Sequence, residues 1–296
     1  MSQATTPIQP PAGRPQRHRL GRPASGEGLL APGVTQSLLI APRFCGPPGT
    51  GNGGYVCGRI AAYLGGPAQV TLRRPAPLAT PLSVDRDAHG SVRVLDGGTL
   101  VAEGIGLAGD LTLGLPDPVS VAEARAAGTR SQLRVHPDQH PFPGCFVCGP
   151  DRPPADGLHI LVGPVAGREL SADVWYPDEA LAEPDGHVRP EFVWAALDCA
   201  GGIGALEDIA VGLPYLLGRM AARQLAPVTA GQPHVVVGWR LAQDGRKVMA
   251  GSALFTGTGQ AVGVAHATWI RLDPSEVSRP RLAAGQTLAT ETEKRV

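Results

Sequence analysis

The chain has 296 residues, 43% of them apolar, and its 26 basic and 26 acidic side chains leave a formal net charge of zero. That balance offers no electrostatic footprint for nucleic acid or an anionic membrane, and no apolar run approaches the roughly 18–20 residues of a membrane span. Five scattered cysteines argue against a secreted disulfide framework, so the expectation is a cytoplasmic protein of one large domain or two modest ones.

Residues 1–33 are rich in Pro, Gly, Arg, Gln and Ser and read as a disordered lead. They lack the amphipathic periodicity of an organelle transit peptide and the apolar core of a secretory signal. A first folded unit is expected over 34–115. "QSLLIA" from residue 36 is a short strand, and a glycine-rich turn then leads to a helix over 55–64, closed by Gly65-Gly66. Alternating segments follow at 68–73, 81–86, 91–96 and 99–108, the last two joined by the hairpin signal Asp96-Gly97-Gly98.

Residues 116–154 form a proline-rich linker, read as loop. A second unit is expected over 155–273, with a strand at 168–176 and a helix at 189–206. That helix carries Pro190 at its first position and Glu191 in its first turn. Strands at 234–242, 247–255 and 260–272 turn at Asp244-Gly245 and Gly257-Thr258-Gly259, before a polar tail at 274–296. The order strand, helix, antiparallel strands thus occurs twice, and "SVRVLDGGTLVAEGIG" aligns loosely with "SALFTGTGQAVGVAHA". This is the pattern of an internal duplication. Each helix is apolar nearly all round and should be buried, wrapped by its own sheet. The predicted fold class is α+β, with two sheets side by side.

"GPPGTGNGG" at 46–54 looks at first like a phosphate-binding loop, but Asn52-Gly53 stand where Lys and Ser or Thr are needed for phosphates and magnesium. The hairpin turns downstream are antiparallel rather than β-α-β. What remains is a glycine-rich turn presenting bare N–H groups at a helix start, suited to an anion or a developing oxyanion.

A long antiparallel sheet curled round one helix resembles the hotdog fold, and two copies in one chain resemble a double hotdog, an intrachain pseudo-dimer. "CFVCGPDRPPADGLHI" (145–160) resembles the Cys-Phe-x-Cys-Gly lead-in of phenylacetate-type acyl-CoA thioesterases, departing from it at Arg152-Pro153. In that family a His-Gly-Gly helix start is followed, after six intervening residues, by Asp or Glu. Glycine of one helix and acid of the other make one site. The motif laid on the first half gives Asn52-Gly53-Gly54 and then Ala61; on the second it gives Arg189-Pro190-Glu191 and then Asp198. Pro190 has no N–H to donate, so the resemblance implies one composite site per chain. It comprises Gly53 and Gly54 with Asp198, and Asn52 replaces the family's His. The implied reaction is hydrolysis of a small-molecule acyl thioester. Gly53 N–H would polarise the carbonyl and Asp198 would act as general base or nucleophile, with no cofactor beyond the coenzyme A of the substrate. A homodimer of pseudo-dimers is one expected assembly.

Two alternatives are a catalytically silent acyl-CoA or acyl-carrier binder, and a hotdog hydratase or dehydratase, whose Asp/His loop motif is missing from the sequence. A third is a structural subunit of a larger assembly. Asp198 could also be a structural carboxylate bonded within the core. His136, His140, Cys145 and Cys148 offer ligand types for zinc, but the lead-in accounts for both cysteines and no metal is expected. Cys45, Cys57 and Cys199 read as small core residues; His187 and His266 are weaker site candidates. Arg73, Arg74, Arg240, Arg246 and Lys247 stand near strand ends, where coenzyme A phosphates could bind, but such charges are mostly just solvated and none is assigned as a ligand. Isothermal titration with ATP and magnesium is expected to show no binding, and a saturable heat signal would restore the phosphate-loop reading.

Overall fold

The structure, a computed structural model, describes residues 35–112, 114–154, 156–206 and 214–272. The lead over 1–33 and the tail over 274–296 lie outside the described residues. In chain order the first half holds β1 (Gln36–Leu38), α1 (Gly53–Ala61), β2 (Ala68–Leu72), β3 (Leu82–Arg86), β4 (Val92–Asp96) and β5 (Thr99–Gly106). The second holds β6 (Gly163–Pro164), β7 (Ser171–Trp175), α4 (Pro190–Ala205), β8 (Tyr215–Gln224), β9 (His234–Asp244), β10 (Lys247–Thr256) and β11 (Ala261–Arg271). Between them lie α2 (Val121–Gly128) and the single turn α3 (Gln132–Val135).

The eleven strands of the described residues form one sheet in the order β1-β3-β4-β5-β2-β8-β11-β10-β9-β7-β6, and every pair is antiparallel. In each half the strand before the helix pairs with the second strand after it, and the first strand after the helix closes the far edge. Those two closing strands, β2 and β8, pair from Ala68↔Ala222 to Thr71↔Arg219 and join the halves. The expected pair of separate sheets is therefore a single continuous one. β8 does not stand out in the sequence because its outward positions include Arg219 and Arg223 and its inward ones do not alternate cleanly.

Other differences are local. The linker read as loop contains α2, opened by a capping box in which the Ser120 hydroxyl accepts from Glu123 N–H and the Glu123 carboxylate accepts from Ser120 N–H. α1 begins two residues before residue 55, because the Asn52 side chain caps it by accepting from Tyr55 N–H at 2.9 Å. It ends at Ala61; Gly65 (φ 73°) closes the turn beyond it by donating to Ala61 O. The Gly97-Gly98 turn has φ of 52° and 86°, as a two-residue hairpin with both central residues left-handed requires.

α4 packs on β7 through β11 and is buried from Phe192 to Gly202, while α1 lies on β2 and β8 and against α4. The two helices run antiparallel with almost no side-chain spacer. A Cβ on Gly54 would stand 2.3 Å from Asp198 Cβ and 2.7 Å from Trp194 O, and one on Gly58 2.6 Å from Glu191 Cα. Gly58 meets Glu191 just as Ala195 meets Gly54, so the contact is nearly two-fold symmetric. Phe44, Tyr55, Phe146 and Phe192 pack around the first turns of both helices, with Phe44 stacked on Tyr55 at 4.2 Å. Among the described residues no helix is long and apolar enough to cross a membrane.

Gly58→Ala tests the close approach. Helix propensity favours Ala by about 1 kcal/mol, whereas forcing a methyl into filled space costs about 1–3 kcal/mol. The clash is with backbone, so net destabilisation is expected in urea melts; a more stable variant would show that the helices have room.

Candidate functional site

The N-terminus of α1 points at the middle of α4, and this brings Asn52, Gly53, Gly54 and Asp198 together. Gly54 N–H donates to Asp198 Oδ2 at 2.7 Å, and Asn52 Nδ2 lies 3.5 Å from the same oxygen. Gly53 is adjacent: a Cβ there would be 3.5 Å from Asp198 Oδ2 and 2.9 Å from Leu217. Among the described residues nothing accepts from Gly53 N–H. The two glycines thus divide the work, Gly54 holding the carboxyl and Gly53 keeping a donor unspent at the positive end of the helix.

Asp198 is 1% exposed. Burial pushes its pKa from 3.8 up to about 8, opposed by the hydrogen bonds from Gly54 N–H and Asn52. Its Oδ1 is buried without a partner. Asp198, Asn52 and Gly53 line a cavity of about 230 Å³, whose apolar walls include Leu217, Ile203 and Trp269. Trp269 Nε1 is likewise buried and unpartnered.

The counterpart position has neither group. Pro190 opens α4 without an N–H, and the residue facing it in sequence register is Ala61, a buried methyl. The Gly46–Gly51 segment forms a cavity wall and closes on itself: Gly46 N–H donates to Thr50 O and Thr50 N–H to Pro47 O, so those amides are already satisfied.

The histidine–cysteine quartet is not assembled as the sequence spacing suggests. His136 is exposed, whereas His140 is buried and lines the cavity with Cys145 and Cys148. Cys199, read as a core residue, comes from α4 to join Cys145 and Cys148. The three sulfurs lie within 4.8 Å of one another. The only sequence signal for Cys199 was its place beside Asp198. His187 sits at the surface against Asp185 Oδ2 at 3.0 Å, and His266 is half-buried on β11; neither lines the cavity. Arg73 and Arg74 do line its mouth, Arg73 paired with Glu103 at 2.8 Å. Arg240 instead donates to Ala205 O, and Arg246 and Lys247 stand at the β9–β10 turn.

No family model and no curated protein matches the sequence. Solved structures do match its shape. The tesB protein of Mycobacterium avium subspecies paratuberculosis aligns over 81% of this chain and 93% of its own, at 12% identity and TM-score 0.52. An acyl-CoA thioesterase II from Mycobacterium marinum aligns over 82% and 94%, at 13% identity and TM-score 0.51. A hot dog fold protein of Alicyclobacillus acidocaldarius aligns over 84% and 97%, at 10% identity and TM-score 0.51. The chain has the hotdog fold. At these identities the likeness speaks for architecture, and chemistry has to be argued from the site.

The raised pKa of Asp198 carries a stability signature. Below pH 3.8 the group is protonated in both folded and unfolded chains, and its contribution is fully present. As pH rises the unfolded chain releases the proton first, so stability falls until the folded pKa of about 8 is passed. Asp198→Asn cannot titrate. Relative to wild type it should gain up to about 1.4 kcal/mol per pH unit between pH 5 and pH 7, measured by denaturant melts in reducing buffer with chelator. A pH-independent difference would show that Asp198 ionises normally.

Proposed function

We propose that the chain is an intrachain pair of hotdog units that hydrolyses acyl thioesters, acyl-CoA in particular, at one composite site. The observation that carries this reading is the meeting of an unspent helix-start N–H, Gly53, with a buried carboxyl from the other helix, Asp198, on one cavity wall. The repeated strand order about the β2–β8 junction supports the pairing of units.

The thioester carbonyl oxygen faces Gly53 N–H, which stabilises negative charge as it develops; a donor of this kind is worth about 3–4 kcal/mol in a site closed to water. Water attacks the carbonyl carbon while ionised Asp198 takes its proton. Collapse of the tetrahedral intermediate breaks the C–S bond, and Asp198 returns the proton to the leaving thiolate, giving acid and thiol. A pKa near the working pH suits a group that must both accept and return a proton. A direct attack by Asp198 through an anhydride uses the same atoms. Asn52 acts as a positioning residue, capping α1 through Oδ1 while its Nδ2 faces the carboxyl. The apolar cavity suits an acyl or aryl group, with Arg73 and Arg74 at the mouth for an anionic carrier. This reading places the protein in the cytoplasm, where acyl-CoA is available.

The test is thiol release from a panel of aliphatic and aromatic acyl-CoA esters. Wild type should turn over at least one, and Asp198→Asn, which preserves an acceptor for Gly54 N–H, should lower kcat by about 10²–10⁴-fold. Unchanged turnover in that variant would remove Asp198 from the site; tight binding without turnover in wild type would favour the silent binder.

A further inference from the structure

We infer that Cys145, Cys148 and Cys199 bind one zinc ion, which fastens the lead-in loop to α4 beside the cavity. The geometry is that of a preformed three-thiolate site. Cys145 Sγ and Cys199 Sγ are 4.0 Å apart, and all three sulfurs lie within 4.8 Å. Ligands at the usual Zn–S distance of about 2.3 Å in a tetrahedron stand roughly 3.8 Å from one another. A disulfide would need about 2.05 Å between two of them and would leave the third sulfur out.

The backbone is shaped for the same purpose. In Cys145-Phe146-Val147-Cys148-Gly149 the chain turns so that Gly149 N–H donates to Cys145 O at 2.9 Å. A Cβ at Gly149 would stand 2.4 Å from Pro143 O and 2.5 Å from Cys145 O, so the turn admits only glycine. This turn aims the N–H groups of Val147 and Cys148 at Cys145 Sγ. Amide donors around a sulfur stabilise the thiolate that a metal requires. Asn52 Nδ2 adds a side-chain donor, 3.8 Å from Cys145 Sγ and 3.7 Å from Cys199 Sγ. Three thiolates and a divalent ion leave one net negative charge, which these donors face.

Soft, buried sulfurs select zinc over magnesium or calcium. The fourth position is left to the cavity side, which His140 lines with its Nε2 buried and without a hydrogen-bond partner. His140 Nδ1 meanwhile accepts from Phe142 N–H at 3.0 Å. Asn52 joins the sulfurs to the cap of α1, so the ion would hold α1, α4 and the lead-in loop in register.

The experiment uses the full chain, expressed in zinc-supplemented medium and purified under reducing conditions without chelator. Elemental analysis should find one zinc per chain. Cobalt added to chelator-stripped protein should give thiolate-to-cobalt charge transfer and the intense visible bands of tetrahedral coordination. Cys145→Ser, Cys148→Ser and Cys199→Ser should each weaken zinc by more than the roughly 10–100-fold that loss of an outer-shell partner costs, whereas Cys45→Ser should not. Should a variant fail to fold, alkylation of wild type read by mass spectrometry decides the matter: zinc should protect Cys145, Cys148 and Cys199 and leave Cys45 reactive. Wild type without stoichiometric zinc or a thiolate–cobalt band, or Cys199→Ser binding as wild type does, would overturn the site. These readouts need no turnover, so they stand or fall apart from the hydrolase reading.

Discussion

The backbone-to-backbone contact of α1 and α4 is the constraint on which the rest depends. Gly54 and Gly58 leave no room for a Cβ, so the helices approach until the Gly54 amide touches a carboxylate on the other helix. With bulkier residues at either glycine the helices would separate and the 2.7 Å bond to Asp198 would be lost. The sheet serves this contact. Its β2–β8 junction lies beneath the helix pair, and the strands of the second half enclose α4.

A carboxyl at this depth would be costly if ionised and unpaired. Two features moderate that cost: the amide and Asn52 donors on Oδ2, and a pKa lifted to about 8, which keeps the group mostly neutral at rest. The same desolvation that makes Asp198 unwelcome in a core is what lifts its pKa into the neutral range. The counterpart position carries no such burden, since Pro190 and Ala61 place neither donor nor acid there. One half of the symmetric helix contact is therefore packing alone, and the other brings a buried carboxyl against helix-start N–H groups.

Signals that act within a few residues were legible in the chain. The apolar runs of both helices, the hairpin turns at Gly97-Gly98 and Asp244-Gly245, and the long strands of the second half all lie where their periodicity puts them. The capping box at Ser120 and Glu123 was equally local, but the surrounding prolines masked it. β8 was not legible, because a strand in the middle of a sheet with arginines on its outward positions lacks clean alternation, and its partner β2 is far away in sequence.

The sequence by itself determined the two apolar helices, the antiparallel strands and the contrast between the helix starts, Asn52-Gly53-Gly54 in one half and Arg189-Pro190-Glu191 in the other. These follow from side-chain period, turn chemistry and proline's missing N–H. Only the tertiary structure decided that Gly54 rather than Gly53 holds the carboxyl, that one sheet rather than two spans the molecule, and that Cys199 meets Cys145 and Cys148 while His136 stays outside. Each of these is a meeting across space, set by how closely two backbones pack, and no local pattern encodes that distance.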